Sequence, residues 1–318
     1  MRAHLMQIAL AVGGALALAA CQEQAGPAER GAGDGEGGAP VIYTTFYPTT
    51  YFAERIAGDE YEVVCPLPED ADPIFWKPGR DDLAAYQQAD ALIINGAEFE
   101  KWVPMAALPA SRVIDSAATI PGGYVTFEST THSHGAGGEH THEGIDGHTW
   151  LAPEIAIAQA AAIRDGLGRL FPEDAEQFAR GFDGLRQDLE DLDARFGEVT
   201  AALEGAQLLA SHPAYNYLAR EYGWDVHNFD LDPESPIGAD AWDDVADHID
   251  AAAQMRIMLW ESEPLQETRE RLSSELGVTS VLFSPAELVE AQRLETGEDY
   301  FSIMRANLDR LEAAVSGS

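Results

Sequence analysis

His212 stands in "SHPAYNYLAREYG" (211–223), straight after the apolar run "AQLLA" and just before a helix-like stretch that stops at Gly223. His148 stands in "GHTWLAP", at a helix start. Glu261 and Glu263 follow the apolar run "RIMLW". In open α/β sheets, ligands bind beyond the carboxyl ends of the strands. Imidazoles and carboxylates converging from such loop ends can build a first-row transition-metal site, and imidazole favours zinc. A single histidine at a loop end is more often hydrogen-bonded than metal-bound, so convergence is what matters. Other strand ends offer Glu69, Asp70 and Asp72, and Asn95, Glu98 and Glu100. A further set, His132, His134, His140 and His142, falls in H-x-H pairs within the Gly-rich stretch "STTHSHGAGGEHTHEGIDGH" (129–148). That stretch has no apolar run, which predicts a mobile loop holding divalent metal loosely.

The elements that must position these groups come in two similar sets. Apolar runs recur at 41–46, 61–67, 91–95 and 112–116, and again at 207–211, 225–229, 256–260 and 280–284. Helix-like patterns separate most of them, which predicts parallel sheets with helices on their faces. Between the sets, apolar residues stand at Phe178, Phe182, Leu185, Leu189, Leu192, Phe196, Val199 and Leu203. Spacings alternating four and three mark one helix with one apolar stripe. Pro172, Glu173 and Asp174 suit its N-terminus. A helix of about 30 residues is a rod of roughly 45 Å, long enough to run along two lobes. The expected fold is α/β, with two (β/α) lobes of mostly parallel four-stranded sheets joined by one long helix.

Composition narrows the function. The 318 residues carry 19 Lys+Arg against 55 Asp+Glu, a formal net charge of −36. Such a surface repels nucleic acid and anionic lipid, and it concentrates cations; plain solubility or adaptation to salt explains the charge equally well. No P-loop, GxSxG or HExxH occurs, so nucleotide hydrolysis and the common hydrolase arrangements lack support. The leader has a short positive start at Arg2 and the apolar core "QIALAVGGALALAA", and ends in "LAAC" (18–21). That ending resembles a bacterial lipobox, with Cys21 as the lipid-bearing first residue of the mature chain. Gly, Ala and acidic residues dominate residues 22–40, the composition of a flexible tether. With Cys21 lipidated, Cys65 has no partner for an intramolecular disulfide. The expected segments are a signal peptide at 1–20, a lipid-anchored tether at 21–40, an N-terminal lobe at 41–171, a linking helix at 172–204 and a C-terminal lobe at 205–318.

From Val41 nearly to its end the chain resembles the zinc- and manganese-binding lipoproteins that feed ABC metal importers, the solute-binding proteins with a rigid linking helix. The resemblance is carried by "TTFYPTTYFAERIAG", "ADALIINGAEFEKWV", "GHTWLAPEIAIAQAAAI" with the long helix after it, and "ASHPAYNYLAREYGW". A His-rich acidic stretch before "GHTWLAP" is typical of the zinc-specific branch. The resemblance implies a metal buried between two lobes, with His148 and His212 matching two histidine ligands. It also exposes two departures. The usual first histidine of a D-P-H pattern is replaced by Ile74 in "DPIFWKP", and Ser284 in "VLFSPAE" stands where a carboxylate ligand is common. Glu263, then Glu261, are the carboxylates expected to compensate, with Asp72 or a histidine of 132–142 as further candidates.

The resemblance implies a monomeric extracytoplasmic receptor, not an enzyme. It would capture zinc first and manganese next, and pass the metal to a membrane permease with a separate ATPase. A metal chaperone or degenerate receptor with an altered ligand set is the alternative. A hydrolase with metal-activated water at His148, His212 and Glu261 or Glu263 is the third reading. Replacing Cys21 by Ser is expected to abolish lipid attachment and release a folded soluble protein, read by membrane fractionation. Unchanged membrane association of the variant would contradict the anchor.

Overall fold

The computed structural model describes residues 38–134 and 138–317, and side chains there except at 127–143. Cys21, the leader and the tether up to residue 37 lie outside the described residues. From Ala39 onward the chain forms one unit.

Strands β1 (Val41–Thr44), β2 (Glu62–Val64), β3 (Ala91–Ile94) and β4 (Val113–Asp115) form a parallel sheet in the order β2-β1-β3-β4. The "ALII" of β3 is buried throughout, as expected of an inner strand with both faces covered. Strands β5 (Thr126–His134) and β6 (Gly138–Ile145) pair antiparallel in a two-stranded sheet of their own. Strands β7 (Ala206–Ala210), β8 (Val226–Asn228), β9 (Met255–Trp260) and β10 (Val278–Leu282) form a second parallel sheet, ordered β10-β9-β7-β8. Read from its other edge, this is the order of the first sheet. In each sheet the first and third strands are neighbours, and the connections leave them in opposite directions. That creates a crevice at their carboxyl ends.

Helices α1 (Tyr47–Ala57), α2 (Arg80–Gln88), α3 (Pro153–Leu170) and α4 (Ala175–Ala202) precede the second sheet. Helices α5 (Asn216–Tyr222), α6 (Ala239–Asp247), α7 (Gln266–Arg271), α8 (Ala291–Glu295) and α9 (Tyr300–Ser316) follow its first strand. The long helix follows the stripe, except that residues 172–174 form a tight 3₁₀ turn before α4 begins and α4 ends at Ala202, with Leu203 as its cap. Phe178, Phe182, Leu185, Leu189, Leu192, Phe196 and Val199 are all buried in one continuous core. This stripe packs against α1, α3 and α9. Gly181 permits a close approach to α1: a Cβ there would lie 2.6 Å from the carbonyl oxygens of Arg55 and Ile56.

One expectation changes. The His-rich stretch is not a structureless loop. Backbone pairing opposes 132 to 140 and 130 to 142, with an irregularity between Phe127 and Thr130. Alternation along paired strands then puts positions 132, 134, 140 and 142 on one face of the ribbon. Its polar composition hid the pairing, because no apolar alternation marks either strand.

Leu189 is fully buried, so Leu189→Asp places an unpaired charge in the core. The expected loss is about 3–5 kcal/mol, measured by urea unfolding. A variant that unfolds at the parent's urea midpoint would contradict the packing described.

Candidate metal centre

The crevice of the second sheet supplies two groups side by side. His212 follows β7, and Glu261 follows the neighbouring β9. Their Nδ1 and Oε2 atoms lie 4.0 Å apart. Backbone bonds from Ser211 N–H to Leu259 O and from Phe283 N–H to Trp260 O hold the strand ends in register. Burial, then the charge of Glu287, pushes the Glu261 carboxyl up to about 8.

The corresponding crevice of the first sheet is filled by the protein itself. Glu100 is fully buried there, accepting from Thr45 Oγ1 at 2.5 Å, Asn95 N–H at 2.6 Å and Gly96 N–H at 3.2 Å. Burial raises its carboxyl, and these donors hold it down in part. Asn95, fixed in this way, donates to Gly147 O at 2.9 Å and accepts from Thr149 Oγ1 at 3.1 Å. Glu100 and Asn95 therefore shape the turn that carries His148. Gly147 is needed in that turn, because a Cβ would lie 2.8 Å from the Phe99 ring.

His148 is 2% exposed and sandwiched between carboxylates. Asp146 Oδ1 takes the backbone N–H of His148 at 3.0 Å and stands 2.7 Å from Nδ1. Nε2 then faces Glu287, whose Oε1 lies 2.9 Å away. Burial opposes a charge on this imidazole, but Asp146 and Glu287 outweigh it and push it up to about 10. Nε2 and Oε1 are both buried, and neither makes a hydrogen bond of normal geometry. The ring centroids of His148 and His212 are 5.6 Å apart.

His212, Glu261 and Glu287 line one cleft of about 470 Å³, together with Asp72, Ile74 and Ser284. His148 sits behind Glu287. As placed, the four groups make two pairs; among the described residues, no three such side chains already close on one ion.

Of the residues expected from the sequence, His148, His212 and Glu261 are brought together. Glu263 is not: its carboxylate bonds the Arg269 guanidinium and lines a separate cavity with Arg269 and Arg310. Two residues beyond Glu261 the chain has already turned outward toward α7. Asp72 lines the cleft, but its Oδ1 accepts from the backbone N–H of Ile74 at 2.8 Å and so shapes its own turn. Ile74 is a core residue, 8% exposed. Ser284 binds no acid-like role either, as its N–H donates to Asn307 and its hydroxyl accepts from Ala286 N–H. The side chains of the four hairpin histidines lie outside the described residues. The sequence reading missed Glu287. No local signal marks it: Ala286 adopts φ 57°, a left-handed turn that the sequence does not announce, and Glu287 after it lines the cleft.

The family profile described as ZnuA, zinc-uptake complex component A, periplasmic, matches residues 42–314. The zinc-binding lipoprotein AdcA of Streptococcus pneumoniae is 30% identical over 279 residues, which is 85% of this chain and 55% of that protein. The chain thus spans about half the length of that relative. The high-affinity zinc uptake system protein ZnuA of Bacillus subtilis is 26% identical over 314 residues, 94% of both chains. Among solved structures, the Zn(II)-bound ZnuA-like domain of S. pneumoniae AdcA superposes with a TM-score of 0.72 at 25% identity, covering 87% of this chain and 99% of that one.

Metal and protons compete for the same atoms, because the ion needs neutral imidazole and ionised carboxylate. The carboxylates beside His148 and the burial of Glu261 favour the protonated form of both groups without metal. Binding at pH 7 is therefore expected to release about one to two protons per ion. Apparent affinity should rise as pH climbs through about 8 toward about 10, and fall on the acid side. Calorimetry in buffers of different ionisation enthalpy reads the release; heats independent of buffer would contradict it.

Proposed function

The chain belongs to the ZnuA family of zinc-uptake complex components, and from that premise we propose that it is the metal-capturing receptor of an ABC importer. It takes a divalent metal from the extracytoplasmic space and hands it to a membrane permease. The observation that carries this reading is the floor of the cleft. His212, Glu261 and Glu287 line it from three separate segments, and His148 meets Glu287 through a buried Nε2–Oε1 pair that makes no hydrogen bond of normal geometry. Zinc accepts such nitrogen and oxygen donors in tetrahedral geometry. Zinc is therefore the cargo proposed first.

The receptor has nothing to catalyse, so each group serves capture. Asp146 fixes His148 so that Nε2 points at the ion. His212 arrives on the first turn after β7, and Glu261 and Glu287 supply negative charge that balances the ion. The acidic surface raises the local concentration of cations at the cleft mouth. The lipid at Cys21 would hold the body near its permease, and the tether would leave it free to reach.

Manganese is the second reading, and one observation favours it. With Ile74 in place of a third imidazole, the donor set has two carboxylates, and carboxylate donors suit manganese better than imidazoles do. The four hairpin histidines are proposed as an accessory, weaker site.

Replacing His212 by Ala is expected to weaken zinc binding at least 10²-fold, or roughly 2.7 kcal/mol. Deleting 130–143 should leave the tight site nearly intact and remove weak extra binding, because each metal held there carries a larger ordering cost. Competition against a chromophoric chelator measures both. A His212→Ala variant that binds as tightly as the parent would contradict the assignment, and loss of the tight site on deletion would place a hairpin histidine on the ion.

A further inference from the structure

Asn216, at the start of α5, touches both imidazole-bearing segments with one amide group. Its Nδ2 donates to Asp146 Oδ2 at 3.0 Å and to Pro213 O at 3.1 Å. The first bond reaches His148, because the other oxygen of Asp146 holds the His148 ring and backbone. The second holds the carbonyl of Pro213, the residue that follows His212. Carboxylate and carbonyl oxygens only accept, so the NH₂ face of the amide must point at them. Asn228 secures that sense by donating from Nδ2 to Asn216 Oδ1 at 2.9 Å. Next along the helix, the Tyr217 hydroxyl donates to Asp146 O at 2.7 Å, so the same residue is gripped twice from α5.

We propose that Asn216 is a positioning residue that sets the spacing and orientation of His148 relative to His212 for a transition-metal ion. Metal–imidazole bonds of about 2.0–2.1 Å leave little slack between two rings held on different segments. A planar amide of fixed length, with both hydrogens used, is a short rigid strut between them. Without it, Asp146 loses the donor that pins its second oxygen, and the turn at Pro213 loses its tie to the His148 segment. Outer contacts of this kind typically change metal affinity by about 10–100-fold.

The proposal rests on the metal-receptor reading, and one experiment separates the two. The full chain and its Asn216→Ala and Asn216→Asp variants are titrated with zinc against a chelator. Their cobalt(II) visible spectra and unfolding midpoints are recorded alongside. Asn216→Ala is expected to bind about 10-fold more weakly, with a shifted cobalt spectrum and an unfolding midpoint near the parent's. Asn216→Asp is expected to be weaker still, about 100-fold, because it keeps the shape, loses both donors and sets a second carboxylate against Asp146. The order matters. A residue serving only to start a helix would be replaced as well or better by Asp, since acids favour helix N-termini. The proposal is overturned if Asn216→Asp binds as tightly as the parent, or if Asn216→Ala binds within about twofold of it. Weakening that merely follows a lowered unfolding midpoint, with an unchanged cobalt spectrum, overturns it too. If the parent itself binds neither zinc nor cobalt tightly, the receptor reading fails first and takes this proposal with it.

Discussion

A buried imidazole holds one orientation only if its far nitrogen has a fixed partner, and here that partner is Asp146. The 2.7 Å contact between Asp146 Oδ1 and His148 Nδ1 decides which way Nε2 faces. Everything around it serves to keep Asp146 still. Its backbone N–H bonds Val125 O, its carbonyl takes the Tyr217 hydroxyl, and its second oxygen takes Asn216. Asn95, itself held by Glu100, fixes the Gly147 turn that joins Asp146 to His148. These groups are buried, or half-buried at Asn216, and hydrogen-bonded to one another, which is the condition under which a polar network rigidifies its surroundings.

The two sheets share one strand order but use their crevices differently. In the first, Glu100 occupies the crevice and ties Thr45, Asn95 and Gly96 together. In the second, the crevice is open, and His212 and Glu261 face the cleft. The first half thus holds the turn that carries His148, and the second brings His212, Glu261 and Glu287. The stripe of α4 packs into the same continuous core as residues of both sheets, including Ile42, Ile93, Leu208 and Ile257.

Much of this was legible in the sequence, for physical reasons that differ by element. The α4 stripe was plain because a long helix buries one face at a fixed period, and every stripe residue from Phe178 to Val199 is buried. The eight strands of the parallel sheets were legible as short apolar runs. His148 and His212 stood out because each follows or precedes an element boundary. Glu287 did not, because its approach depends on the left-handed turn at Ala286, and nothing local in "SPAE" announces one. Glu263 misled because nearness in sequence to Glu261 is not nearness in space once a strand has ended. The hairpin was hidden because its strands carry no apolar face. Asn216 was unreadable as anything but a polar residue at a helix start, since its partners lie 70 and 3 residues away.

The central claim is that the ion is held by two imidazoles and two carboxylates drawn from His148, His212, Glu261 and Glu287. X-ray absorption of the full chain loaded with one equivalent of zinc tests it most directly. The expected spectrum shows a first shell of nitrogen and oxygen at about 2.0–2.2 Å, with multiple scattering from two imidazoles. The same spectrum should be obtained after deletion of 130–143. Scattering from three or four imidazoles, lost on that deletion, would mean that the hairpin and not the cleft holds the metal.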